Sequence, residues 1–84
     1  MSVGMVSREE LGRRISALQG YLQISQGGFG EPAGVHRNTI AAWEKATMRV
    51  SLEKLEELCQ HWFGRTALEL LSPDWDSRVW SKAA

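Results

Sequence analysis

Arg37, Lys45 and Arg49 stand close together in the middle of this chain, and with Glu44 as the one acid among residues 35–50 they give that stretch a local charge of +2. Residues 51–84 carry four bases and six acids, so the chain is dipolar along its length although its net charge is zero. Clustered Lys and Arg are the footprint of phosphate binding, whereas zero net charge by itself does not favour a nucleic-acid ligand. Catalytic constellations are not expected: the sequence offers no nucleophile–base pair and no carboxylates paired in a cleft. The Gly27-Gly28-Phe29-Gly30 run has neither the preceding strand nor the following Lys-Ser/Thr of a phosphate loop. An enzyme is not expected, and no cofactor is implied. Cys59 is the single cysteine, which excludes an internal disulfide and reads as core filler, and His36 and His61 lie at spacings that build no metal site.

These residues must be positioned by helices. Leu11, Ile15, Leu18 and Leu22 recur at spacings of four, three and four, one face of a helix from Arg8 to Leu22, with Ser7 as N-cap and Glu9 and Glu10 in the first turn. Ser25-Gln26 opens a second helix running to about Ala33 and ending at Gly34. A third spans His36 to Lys45, with Ile40 and Trp43 turned inward beside Val35. A fourth begins at Ser51 and places Leu52, Leu55, Leu58, Cys59 and Trp62 on one stripe. A fifth runs from Thr66 to Leu71 and stops at Ser72-Pro73. The expectation is a compact all-α domain of five short helices over residues 8–71, preceded by an arm (1–7) and followed by a tail (72–84). At 84 residues it buries only about 60–65% of its unfolded surface, so each core residue matters.

The order LGRRISAL, ISQ, AGVHRNTIAAWEK, SLEKLEELC resembles the lambda repressor/Cro type of helix-turn-helix domain, the XRE family. That resemblance implies a transcriptional regulator, whether repressor, phage-type regulator or antitoxin, that binds a double-stranded DNA operator as a homodimer and reads it with the third helix in the major groove. On the matching positions, Arg37, Asn38 and Ala42 are implied base contacts: Arg to guanine, Asn to adenine, and a methyl group for thymine. Gln26 is the implied phosphate-binding glutamine, and Thr39, Lys45 and Arg49 are further phosphate candidates. His36 replaces the usual Ser or Thr before the third helix, which predicts a weaker cap or a phosphate contact. A protein-interaction module that keeps the fold, with a toxin or another protein as partner, is the alternative.

Two segments depart from the pattern. Gly27, Gly28, Gly30 and Pro32 fill the second helix, nominally a penalty of roughly 6 kcal/mol. Such a segment is either short, kinked or partly 3₁₀ and held by Phe29 and Ala33, or ordered mainly on binding. Trp75 and Trp80 in the tail are too much apolar area to leave in water; they either fold back over the first and fifth helices or form a dimer contact. With no apolar run of about 18 residues and no secretory-type start in Met1–Glu10, the chain is expected to be cytoplasmic with no membrane partner.

Overall fold

A computed structural model describes residues 6–83, so residues 1–5 of the predicted arm lie outside it. Among the described residues the chain is all-α: α1 (Arg8–Leu22), α2 (Gln26–Gly30), a single 3₁₀ turn (Glu31–Ala33), α3 (Arg37–Glu44), α4 (Leu52–Phe63), α5 (Ala67–Leu71) and α6 (Ser77–Ala83). The helix starts follow their caps. Ser7, Ser25, Ser51 and Thr66 each accept a hydrogen bond from an amide in the first turn of the helix that follows, and Thr66 with Glu69 closes a reciprocal capping box. Gly34 and Gly64 adopt left-handed φ values of 69° and 65° at the ends of the 3₁₀ turn and α4, where a side chain would be strained.

Leu11, Ile15 and Leu18 of α1 meet Ile40 and Trp43 of α3, Leu55, Leu58 and Phe63 of α4, and Leu70 and Leu71 of α5 in one core. Cys59 is buried there, and burial pushes its thiol up to about 12, so it is an inert apolar filler. The expected stripe on α4 is corrected at its ends. Leu52, its first residue, is 49% exposed, Trp62 is half-buried, and Phe63 takes the inward place.

The glycine-rich segment is short and changes pitch. α2 gives way to 3₁₀ geometry at Glu31, which places Pro32 in the first turn of a new element, where a ring without an N–H is tolerated. Phe29 and Ala33 are buried, and the Trp62 indole N–H donates to the Phe29 carbonyl at 3.0 Å. Gly30 is required by packing, since a Cβ there would collide with the Val35 carbonyl. The proline's share of the penalty for an undistorted helix, about half of it, is therefore not incurred, while Gly27, Gly28 and Gly30 remain in α2.

The tail is the larger correction: it forms a sixth helix. Trp80 on α6 is 2% exposed, packs against Phe63 with ring centroids 5.0 Å apart, and contacts Trp75 edge-on at 6.3 Å. Arg14 fastens this layer to α1. Its guanidinium, almost fully buried, donates to the carbonyls of Leu70 (2.8 Å) and Ser72 (2.6 Å), pairs with Glu10 (3.0 Å) and lies 5.0 Å from the Trp75 ring centre. It thereby satisfies carbonyls at the end of α5 that have no partner within that helix.

Replacing Trp80 with Ala removes a fully buried indole and is expected to cost about 3–5 kcal/mol, a large share of a small domain's stability of about 5–15 kcal/mol. Thermal unfolding of Trp80→Ala checks this; an unchanged midpoint would show that α6 does not complete the core. A second prediction separates two glycines of α1. A Cβ at Gly12 would lie 2.6 Å from the Glu44 carbonyl oxygen and 2.7 Å from that of Trp43, whereas one at Gly20 meets nothing within 4 Å. Urea unfolding should find Gly12→Ala destabilised by at least about 2 kcal/mol and Gly20→Ala stabilised by about 0.5–1 kcal/mol.

Candidate nucleic-acid interface

α3 is anchored by Ile40 and Trp43, which are 0% and 1% exposed. At about 100° per residue, Asn38, Ala41, Ala42 and Lys45 fall on the side opposite that pair, with Arg37 at its edge. Burial agrees: Arg37, Asn38 and Lys45 are exposed, and Thr39, Ala41 and Ala42 are half-buried. The predicted cap at His36 forms, by ring nitrogen and not by hydroxyl. Nδ1 accepts from the Asn38 amide at 3.0 Å. At its far end α3 closes with Ala46 at a left-handed φ of 62°, the Ala46 and Thr47 amides donating to the Trp43 and Ala42 carbonyls at 3.2 and 3.0 Å.

Four bases are tied up in ion pairs among the described residues: Arg13 and Arg14 with Glu10, Arg65 with Glu69, and Arg78 with Asp76. These pairings hold the carboxyls of Glu10 and Asp76 below the usual range; for Glu69 the Thr66 amide does most of this, followed by Arg65. Arg37, Lys45 and Arg49 have no such partner among the described residues and are exposed, so ion pairs do not neutralise the base-rich middle; Arg8, Lys54 and Lys82 are likewise outside any ion pair.

The candidate residues are not all brought together. His36 and Arg37 line a shallow depression with Gly27, Glu31, Gly34 and Val35. Gly27 lies beside Arg37, since a Cβ there would come 3.8 Å from Arg37 Cβ. Arg49 lines a separate groove with Arg8, whose apolar residues are Val6, Leu11, Val50, Leu52 and Leu71. Gln26 is engaged within the fold: its Nε2 donates to Glu44 Oε1 at 3.0 Å, while Glu44 Oε2 is buried without a hydrogen-bond partner. This link is not legible in the sequence, because a glutamine and a glutamate eighteen residues apart carry no periodic signal. Nor are the buried role of Arg14 and the Trp62–Phe29 bond legible there, since an arginine reads as surface and an indole N–H gives no hint of its acceptor.

The Gln26–Glu44 bond has a measurable consequence. Gln26→Ala leaves Glu44 without its amide donor and should destabilise the fold by about 1–3 kcal/mol. In a double-mutant cycle with Glu44→Ala by urea unfolding, the second change should cost less in the Gln26→Ala background than alone; strict additivity would remove the coupling. No protein family, curated protein or solved structure matches this chain.

Proposed function

We propose that this chain is a transcriptional regulator of the lambda repressor/Cro type, which binds a double-stranded DNA operator as a homodimer and reads it with α3 in the major groove. The observation that carries this reading is the state of α3. The helix is anchored on one side by Ile40 and Trp43, and Arg37, Asn38 and Lys45 are left exposed and free of ion pairs. An arginine and an asparagine in the first turn of such a helix can bond guanine and adenine edges in bidentate fashion, and the methyl groups of Ala41 and Ala42 permit close approach or contact a thymine methyl. Lys45 and Arg49 are assigned to phosphates, together with Thr39. Gln26 joins them only if its amide reaches a phosphate while still bonded to Glu44. The same chemistry would serve a cytoplasmic repressor, phage-type regulator or antitoxin.

A second reading, a protein-interaction module, is favoured by the groove lined by Val6, Leu11, Val50 and Leu71, with Leu52 half exposed at its edge. Selection of bound sequences from a random DNA pool separates the two. A palindromic motif supports the operator reading, and failure to enrich any sequence favours the module. On the enriched site, Arg37→Ala should cost about 1–3 kcal/mol and relax the preference at one position of each half-site, while Lys45→Ala should weaken all sequences alike and reduce the salt slope by about 1.

A further inference from the structure

The start of α3 differs from the other helix starts in the chemistry of its cap. Ser7, Ser25, Ser51 and Thr66 cap with hydroxyl oxygens, which accept hydrogen bonds across the physiological pH range. Asp76 accepts from the Arg78 amide at the start of α6 with a carboxylate that Arg78 keeps ionised into acid. His36 caps α3 with Nδ1, which accepts from the Asn38 amide at 3.0 Å. A ring nitrogen accepts only while it keeps its lone pair, so this bond requires the neutral imidazole with its proton on Nε2. Histidine is the side chain that changes charge between about pH 5 and 8.

We infer that His36 is a proton-operated release for the first turn of α3, the turn that carries Arg37 and Asn38. Protonation places a hydrogen on Nδ1, turns the acceptor into a second donor facing the Asn38 amide, and sets a cation against the positive end of the α3 dipole. Cap loss and charge repulsion act in the same direction. The surroundings supply no substitute. The charged groups that share the depression with His36 are Glu31 of the 3₁₀ turn and Arg37 of α3, one of each sign, and no ion pair joins either to the imidazole among the described residues; Gly27, Gly34 and Val35 carry no charge. No other side chain accepts from the Asn38 amide among the described residues, so without His36 that amide turns to water.

The effect on the helix start is independent of what the chain binds; its consequence for DNA rests on the reading proposed above. The test compares the full chain with His36→Ser, whose hydroxyl caps at either pH, by amide exchange at pH 7.5 and 5.0, corrected for intrinsic rates and referred to Leu58 in α4. In the unsubstituted chain the protection of Asn38 should fall about fivefold on acidification, the size of a typical cap, and in His36→Ser it should change less than twofold. Equal losses in both proteins, or none in either, would overturn the release. DNA affinity on a selected site should then fall between pH 7.5 and 5.5 in the unsubstituted chain more than in His36→Ser. A rise in the unsubstituted chain alone would overturn the release as a device for DNA binding and make the imidazolium a phosphate contact. Loss of Asn38 protection with no DNA binding at either pH would leave the release standing and remove the operator reading.

Discussion

Where α1 meets α3, the backbone of Gly12 lies directly against the carbonyls of Trp43 and Glu44, at a separation no side chain could share. The rest of the arrangement depends on that contact. It lets Leu11 and Ile15 close over Ile40 and Trp43, which fixes the rotation of α3 about its own axis and so decides which of its residues meet solvent. A helix of eight residues contributes little stability of its own. Its orientation is imposed by two buried side chains and one missing Cβ, and Arg37, Asn38 and Lys45 are exposed because Ile40 and Trp43 cannot be.

The same economy of atoms explains α2. Its glycines look like poor helix formers, and as an isolated helix they would be. In the fold Gly30 buys close approach to the Val35 carbonyl, the chain tightens to 3₁₀ geometry before Pro32, and Trp62 bonds the Phe29 carbonyl from α4. Propensity is a statement about a chain that could do something else, and here packing from α3 and α4 removes the alternatives. The Gln26–Glu44 bond ties the start of α2 to the end of α3.

Much of this was legible in the sequence. The bounds of α1, the serine caps, the left-handed Gly34 and the inward pair Ile40 and Trp43 all follow from local spacing and cap chemistry, which act over one or two turns. The split of α2 was legible as one of two alternatives, because a proline announces that a helix must change but not how. What could not be read depends on where a partner surface ends. Leu52 fits the apolar period of α4, yet it occupies the first helical position and stays half exposed. α6 is too short for periodicity to declare it, and its existence follows only once Phe63 and Arg14 are known to receive Trp80 and Trp75. Of the candidate site, the sequence grouped Arg37, Lys45 and Arg49 by proximity along the chain, whereas the fold sets Arg49 in a different groove from Arg37.

The zero net charge that counts against a polyanionic ligand then loses most of its force. Charge counted over a whole chain acts at long range, where salt screens it beyond the Debye length, about 10 Å at 0.1 M, and at contact range the local, uncompensated charges dominate. Glu10, Glu69 and Asp76 are matched by guanidiniums within 2.7–3.2 Å, so each of these clusters is nearly neutral or weakly basic a few ångströms away. The cations of residues 35–50 are not matched in this way, and the one acid there, Glu44, has one carboxylate oxygen bonded to Gln26 and the other buried. A ligand approaching the exposed side of α3 meets Arg37 and Lys45 with no exposed carboxylate on the same helix, and Glu31 of the 3₁₀ turn is the one acid that shares the depression of Arg37. The field that would steer a phosphate backbone is therefore a property of this one short helix and its setting, and the acid surplus of residues 51–84 bears on it only at low salt.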